Sequence, residues 1–158
     1  MRPVIVSRMA QLRLEDLSAT NIAAANALSL KPGQEQYVTP VSYSATTAIV
    51  NPATSWQRVV IDGDAVVAFI QADFDPEAPS VEFRSILWRI NVDADDQGRG
   101  VGRFAVEALA DEARARGLDA LYVIWEPGED GPEAFFLRTG FERIGETGYG
   151  DTIGRRAL

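Results

Sequence analysis

The segment Gln97-Gly98-Arg99-Gly100-Val101-Gly102-Arg103 is the most informative part of this chain for its fold. It follows an apolar stretch at 87–92, which has the composition of a strand, and it opens the amphipathic pattern of 100–116, which predicts a helix. Glycines at such a turn let a ligand approach the backbone, and the free N–H groups of a helix N-terminus favour an anion. Arg99 and Arg103 add positive charge that suits phosphate groups. The turn is therefore a candidate phosphate-binding site.

Other interpretations of this segment remain open from its residues alone. A glycine-rich turn can simply join a strand to a helix. A P-loop is disfavoured, because no Gly-Lys-Ser/Thr follows. A dinucleotide-binding turn is compatible with Gly100-Val101-Gly102-Arg103-Phe104-Ala105, which fits G-x-G-x-x-A, and with Glu126 as a ribose ligand after the next strand. Against it, the motif follows three antiparallel strands, and too little chain remains for the second half of a doubly wound sheet.

The rest of the chain alternates strands and helices around this turn. Asp62-Gly63-Asp64 separates two apolar runs and predicts a hairpin, and Gly117 is a C-terminal stop for the helix that begins at Gly100. The pattern predicts strands over 3–9, 56–61, 65–74, 82–92, 118–125, 141–146 and 152–156, and helices over 14–28, 42–50, 100–116 and 131–139. This order predicts a mixed α/β fold around one sheet, in a single domain over residues 1–158.

The residue types that the chain lacks restrict its chemistry. The 158 residues include no Cys and no His, which excludes disulfides, thiolate metal sites, Cys nucleophiles and His general bases. Acid–base work must fall to Asp, Glu, Tyr, Lys or water, and no metal site is predicted. Lys plus Arg is 15 and Asp plus Glu is 23, so the net charge is −8. This charge speaks against a nucleic-acid partner and favours small cationic molecules.

The sequence also predicts where the protein resides. The apolar run near the N-terminus is too short for a signal peptide, and no stretch approaches the roughly 20 apolar residues of a membrane span. A cytoplasmic protein without a membrane partner is expected. The oligomeric state is left open, with a homodimer among the options.

Two blocks of the sequence resemble the GNAT N-acetyltransferase family. Q-x-x-G-x-G after a strand, here Gln97 to Gly102, is similar to that family's acetyl-CoA loop. The block Ala134-Phe135-Phe136-Leu137-Arg138-Thr139-Gly140-Phe141 resembles its later helix and terminal Gly-Phe. The two blocks come in the family's order, and the match runs from about Arg84 to Phe141. The resemblance implies a mixed, mostly antiparallel sheet flanked by helices, with two central strands splayed apart, and acetyl-CoA as the cofactor.

The resemblance also implies where acetyl-CoA binds. Its pantetheine would add to the sheet like an extra strand, beside the strand over 121–125, and its pyrophosphate would lie on the N–H groups of the glycine-rich turn. Phe136 would pack against the thioester end. The implied cofactor-binding residues are Ile90, Asn91, Val92, Gln97, Gly98, Arg99, Gly100, Val101, Gly102, Arg103 and Phe136.

The family's reaction is direct transfer of the acetyl group of acetyl-CoA to an amine, with a carboxylate as base and a tyrosine as acid. This chain departs from the pattern twice, with Phe136 at the tyrosine position and no carboxylate at 85–87. Phenylalanine cannot donate a proton. The replacement candidates are Glu126 or Asp151 as the base and Tyr149 as the acid. The departures favour one alternative, a CoA-binding sensor without turnover; a dinucleotide-dependent oxidoreductase is another.

A further stretch indicates the acceptor. Lys31-Pro32-Gly33-Gln34-Glu35-Gln36-Tyr37-Val38-Thr39-Pro40 is similar to the P-x-Q-x-x-[FY]-V-x-P segment of bacterial polyamine acetyltransferase-like members. The likeness implies that Gln34, Glu35 and Tyr37 contact the acceptor, with Glu35 holding an ammonium group; a loop with a packed tyrosine is the alternative. Trp88 would line the acceptor pocket or the core, on the opposite face of its strand from Arg89. The expected partner is a small-molecule primary amine that is polyamine-like.

Overall fold

The computed structural model describes residues 11–38 and 51–158, and the strand predicted over 3–9 and the helix predicted over 42–50 lie outside them. Within these residues, seven strands form one sheet and three α-helices pack on it. The strands are β1 (Leu12–Asp16), β2 (Ser55–Asp62), β3 (Ala65–Asp73), β4 (Ile86–Val92), β5 (Ala120–Trp125), β6 (Glu142–Glu146) and β7 (Thr152–Ala157), and the helices are α1 (Ile22–Asn26), α2 (Val101–Ala115) and α3 (Glu133–Arg138). The spatial order is β1-β2-β3-β4-β5-β7-β6. Every neighbouring pair is antiparallel except β4 and β5, so the predicted mixed, mostly antiparallel fold is confirmed.

The β2–β3 hairpin shows how the sheet builds two apolar faces. Gly63 takes a left-handed φ of 64° between the paired residues Asp62 and Ala65, as the predicted turn requires. Side chains alternate between the two faces along both strands. The face toward α2 carries the larger core, and the face toward α1 carries a smaller one, built from Ala25, Val59, Ile61 and Phe69.

Helix α2 covers the larger apolar face. Its buried residues include Val101, Ala105, Leu109 and Ala113, whose spacing of four places them on one side of an α-helix. Gly117, with a φ of 79°, follows the end of the helix, as predicted. Because this side is packed along its whole length, the core fixes the position of the helix N-terminus, where the glycine-rich turn lies.

Strands β4 and β5, which are parallel, separate along their length. They pair at Ile86↔Tyr122 and Leu87↔Val123, and both strands continue beyond these residues without pairing to each other. The other neighbours in the described sheet pair over four or more positions. The predicted splay of the two central strands is therefore present.

A bulge in β4 changes the direction of two side chains. The register between β3 and β4 shifts opposite Trp88. Leu87 and Ile90, three residues apart, both pack toward α2, where strict alternation would send them to opposite faces. Trp88 donates its indole N–H to Asp73 on the α1 face, and Arg89 pairs with a β3 residue of that same face. The prediction that Trp88 and Arg89 face opposite ways is therefore wrong.

The helix predicted over 14–28 is also wrong at its start. Leu12–Asp16 is β1, which pairs with β2, and the helix covers Ile22–Asn26. Leu12 and Leu14 pack against the larger core, so the apolar period at this point is two, which is typical of a strand. Asn21 separates the two elements: its side chain accepts the Ser18 N–H at 2.9 Å and donates to the Asp16 carbonyl at 2.8 Å.

The strand predicted over 82–92 begins later than expected, at Ile86. Val81–Phe83 form a single turn of 3₁₀ helix, and the chain folds back there because Asp75 N–H donates to the Arg84 carbonyl at 3.2 Å. The other predicted elements within the described residues end within two residues of their predicted bounds. None of the helices in this part of the chain is long and apolar enough to span a membrane.

Gly154 of β7 allows a test of the packing beneath the splayed strands. A Cβ at this position would collide with the Trp125 ring and lie 3.1 Å from Val123 Cγ1. Gly154→Ala should therefore lower the free energy of unfolding by about 1–3 kcal/mol in urea titrations. Gly145→Ala on β6 is the matched control, because a Cβ there meets nothing within 4 Å, and it should leave stability unchanged or raise it slightly. Equal stabilities of the two variants would contradict this packing.

Candidate active site

Two left-handed glycines shape the turn at the N-terminus of α2. Gly98 has a φ of 80° and Gly100 a φ of 90°, a region that other residues rarely adopt. The first bond of the helix runs from Phe104 N–H to the Gly100 carbonyl at 3.0 Å, and the N–H groups of residues 98–103 donate to no backbone carbonyl in the described chain. These free donors and the dipole of α2 enable the turn to hold an anion.

A cavity of about 530 Å³ lies beside this turn, between β4 and α3, and we call it the loop cavity. Gly102 allows α3 to approach closely here, since a Cβ on it would lie only 2.7 Å from Phe135 Cε2. The loop cavity brings together most of the predicted cofactor-binding residues, namely Ile90, Val92, Gln97, Gly98, Gly100, Gly102 and Arg103. Outside its lining lie Asn91 and Val101, both buried in the sheet and helix, together with Arg99 and Phe136.

The two arginines of the turn have different environments. Arg99 bonds Asp96 at 2.6 Å and Asp62 at 2.8 Å, and its pKa is raised, first of all by the hydrogen bond to Asp96. It therefore fastens the turn to the β2–β3 hairpin, and its charge is not directed into the loop cavity. Arg103 does line this cavity, where it donates to the Arg138 carbonyl at 2.9 Å.

A second cavity, of about 240 Å³, lies where β4 and β5 separate, and we call it the splay cavity. Residues 87–90 of β4 and 123–125 of β5 form its two sides. Four residues line both cavities, namely Tyr37, Val38, Ile90 and Pro132. The two cavities therefore adjoin, and an elongated molecule can extend from the glycine-rich turn into the gap between the strands.

Phe136 belongs to an aromatic cluster at the splay cavity. It is 5% exposed and stacks on Trp125 with ring centroids 5.4 Å apart. Phe141 meets its edge at 5.8 Å, and Phe136 itself lines the cavity. Its ring is thus a packed apolar wall of the gap.

The three predicted catalytic residues do not come together. Glu126 and Asp151 both line the splay cavity, Glu126 exposed and Asp151 half-buried. They follow and precede the paired residues Trp125 and Thr152, so they are neighbours at the ends of β5 and β7. Tyr149 lies in the turn between β6 and β7, is 96% exposed and lines neither cavity. The structure thus places the two carboxylates at the same cavity and leaves the tyrosine outside both cavities.

The predicted acceptor segment crosses the boundary between the cavities. Gln34 lines the loop cavity and Tyr37 lines both, whereas Glu35 is exposed and lines neither. Gln34 and Gln97 exchange two amide hydrogen bonds, at 2.9 and 2.8 Å. The segment is therefore joined directly to the glycine-rich turn.

Trp88 lines the splay cavity and is held from two sides. Its ring stacks on Phe83 at 5.8 Å, and its N–H donates to Asp73 Oδ2 at 2.8 Å. Burial is the largest cause that raises the pKa of Asp73; the Trp88 bond opposes it, and nearby Asp75 adds to it. The bond between Trp88 and this carboxyl was not predicted from the sequence. The visible signal was an aspartate at the end of a mostly apolar strand.

The model of the GNAT acetyltransferase family matches residues 20–141, which include the glycine-rich turn and the lining residues of both cavities other than Asp151. The chain belongs to the GNAT acetyltransferase family. It is thereby an acetyltransferase, and acetyl-CoA is the acetyl donor that GNAT enzymes use. The family resemblance seen in the sequence is confirmed, while the polyamine subgroup stays a prediction. No curated protein sequence matches the chain.

Solved structures show the same GNAT fold. An acetyltransferase from Thermus thermophilus is 23% identical, with a TM-score of 0.68 over 94% of this chain and 97% of that one. The PaiA N-acetyltransferase from Thermoplasma acidophilum, in complex with coenzyme A, is 10% identical, with a TM-score of 0.70 over 93% and 99%. The ribosomal-protein-S18-alanine N-acetyltransferase from Escherichia coli is 20% identical, with a TM-score of 0.68 over 93% and 94%.

Gly98 and Gly117 provide a matched pair to test the GNAT turn. Both are left-handed, at 80° and 79°, and a Cβ on either meets nothing within 4 Å, but only Gly98 lines the loop cavity. Gly98→Glu should weaken CoA binding at least about tenfold, because a carboxylate enters a site for phosphate oxygens. Gly117→Glu carries the same backbone strain and charge at the far end of α2, so it should bind CoA like the unmodified protein. Calorimetric titration with CoA measures both, and equal affinities would place the phosphates elsewhere.

Proposed function

We propose that this GNAT protein transfers the acetyl group of acetyl-CoA to a primary amine of a small, polyamine-like molecule. The observation that carries the proposal is the junction of the two cavities at the splay. One cavity borders an anion-binding turn, and the other is lined by two neighbouring carboxylates, Glu126 and Asp151. A phosphate-bearing donor and a cationic acceptor can thus approach the same gap from different sides.

The residues present fit acetyl-CoA. The N–H groups of Gly98, Gly100 and the first turn of α2 would hold its pyrophosphate, with Arg103 beside them. Beyond Leu87, β4 has no strand partner toward β5, so backbone groups of Ile90 to Val92 would bind the amides of the pantetheine arm. When bound, acetyl-CoA supplies an activated acetyl carbonyl. The PaiA neighbour, whose structure contains coenzyme A, supports the same use of this fold.

The protein must remove a proton from the acceptor amine before the acetyl group can be transferred. An alkylammonium group has a pKa near ~10.4, so the amine arrives charged and must be deprotonated before it can attack. Asp151 is the more shielded of the two carboxylates at the splay cavity and would accept this proton. Glu126, which is exposed, would hold the ammonium as it enters. Glu35, exposed on the acceptor segment, would meet the far end of a longer acceptor.

A pair of amines of equal length tests the acceptor class. With acetyl-CoA present, 1,4-diaminobutane should release CoA with a kcat/KM at least about tenfold above that of 1-aminobutane, since a second ammonium gains a charge-assisted contact worth about 1.5–3 kcal/mol. A peptide with an N-terminal alanine serves as the comparison for protein acceptors. A preference for the monoamine or the peptide would contradict a polyamine-like acceptor, and no CoA release with any amine would contradict the transferase proposal.

Variants of the two carboxylates should change different kinetic constants. Asp151→Asn should lower kcat by about 100-fold or more, the scale of general-base catalysis, and Glu126→Gln should mainly raise KM for the diamine. Glu129→Gln is the control, because Glu129 lies exposed on the same loop as Glu126 and lines neither cavity. Steady-state rates at several diamine concentrations distinguish these effects. An unchanged kcat in Asp151→Asn would remove Asp151 from the reaction.

A further inference from the structure

The segment of residues 29–38, which we call the strap, crosses the loop cavity from the segment before the glycine-rich turn to the loop after β5. At its start, the N–H and the hydroxyl of Ser29 donate to Asp93 at 2.8 and 3.0 Å. Near its end, the Tyr37 ring packs against the loop after β5, where a Cβ on Gly131 would lie 3.4 Å from Tyr37 Cε1. The strap therefore bridges two sides of the cavity.

Gln34 fastens the middle of the strap to the glycine-rich turn. The side-chain amides of Gln34 and Gln97 exchange two hydrogen bonds, at 2.9 and 2.8 Å, so each amide is both donor and acceptor to the other. Gln34 Oε1 also accepts the Lys31 N–H at 2.9 Å, and Gln97 Nε2 also donates to the Val92 carbonyl at 3.0 Å. The amide pair thus holds the strap against both the turn and the end of β4.

The strap forms one wall of the loop cavity, opposite β4 and α3. Its lining residues are Leu30, Gln34, Tyr37 and Val38. A molecule that extends from the glycine-rich turn into the splay cavity passes along this wall. Within the described chain, the hydrogen bonds between the strap and other elements all involve residues 93–97, so packing alone holds its Tyr37 end. This unequal fastening gives the strap one end that is able to swing away.

We propose that Gln34 is a positioning residue that, through Gln97, keeps the strap closed over the pantetheine arm of CoA. CoA then enters and leaves when the strap swings away from the loop after β5. The inference goes beyond acetyl transfer: it rests on the proposed place of CoA at the glycine-rich turn and not on the acceptor. Because a closed strap blocks entry and exit alike, its open fraction scales both rate constants. Loss of an ordinary contact raises the dissociation rate alone.

Gln34→Ala tests this prediction with CoA as the ligand. The rate constants kon and koff should both rise about 5- to 20-fold, with Kd within about threefold, because the closed strap loses two hydrogen bonds that are each worth roughly a factor of 2 to 10. Gln36→Ala is the matched control, because Gln36 is exposed on the same strap and its side chain bonds the Gly33 carbonyl. Stopped-flow fluorescence of Trp88 and Trp125, which line the splay cavity, measures both constants.

A double-mutant cycle shows whether the two amides act as one unit. Gln97→Ala should speed CoA exchange as Gln34→Ala does. The variant with both changes should be no faster than either alone, since removal of one partner already breaks both bonds. Single effects that multiply in the double variant would contradict the amide pair as the fastening. Thermal unfolding of each variant verifies that it is folded.

Gly128 tests the other end of the strap and lines neither cavity. It is not among the left-handed glycines, so alanine fits its backbone, but a Cβ there would collide with the Tyr37 hydroxyl. Gly128→Ala should therefore displace the Tyr37 end of the strap and raise both kon and koff about fivefold or more. Adding Tyr37→Phe removes the colliding atom and should largely restore the slower exchange. Unchanged rates in Gly128→Ala would contradict closure at this end.

CoA exchange needs no acceptor, so its outcome is separate from that of acetyl transfer. If the protein acetylates no amine, the transferase proposal fails and the exchange rates still decide the role of the strap. If Gly98→Glu weakens CoA binding while Gln34→Ala leaves kon and koff unchanged, the strap inference alone is overturned. A rise in koff with no rise in kon overturns it as well, because Gln34 is then an ordinary contact of CoA.

Discussion

A short parallel contact between β4 and β5 is the constraint on which the site depends. Two residue pairs join the strands, and Ser85 closes the joined end: its carbonyl accepts the Tyr122 N–H at 2.9 Å, and its hydroxyl donates to the Ala120 carbonyl at 2.8 Å. Past that point the facing backbone edges have no partner from the other strand. Unpaired backbone groups in a sheet interior are costly, so the gap favours an extended ligand that can bond to them.

The far end of the gap is lined by aromatic rings. Phe136 stacks on Trp125 and meets Phe141 edge-on, and the sheet makes room for Trp125 with a glycine at position 154. Because these rings are buried and packed on one another, they form a closely packed wall at this end of the gap. This packing gives the Phe136 ring a structural role, at the position where the resemblance in the sequence leads one to expect a tyrosine.

The sequence predicted the fold well because its strongest signals are local. The hairpin at Gly63, the stop at Gly117 and the four-residue spacing of α2 each depend on neighbouring residues only, and the structure has them where they were expected. Errors occurred where tertiary contacts decide. Leu12 and Leu14 lie in a strand because β2 offers an edge with which this segment can pair. The bulge at Trp88 depends on the pairing with β3, so the sequence of β4 alone does not reveal it.

The site was predictable only in part, for a related reason. The glycines predict the backbone conformation of the glycine-rich turn. The turn borders the loop cavity, as expected for a candidate binding site. The directions of long side chains are not readable in this way. Arg99 has the residue type and the position in the turn that a phosphate ligand would have. Its guanidinium instead bonds Asp62, which is distant in the sequence. The segment around Tyr37 predicts an acceptor contact, and its neighbouring residues do not show that Gly128 and Gly131 admit the ring.

The bond between Arg99 and Asp62 joins residues 37 positions apart. Asp62 ends β2, and Arg99 lies inside the turn before α2. Their part-buried ion pair therefore connects the β2–β3 hairpin to the turn. A fragment containing only the turn and its helix would leave this guanidinium without one of its two carboxylates. The glycine-rich turn is therefore not a transplantable module: grafted onto another scaffold, it would need an aspartate delivered from a second element to keep its shape.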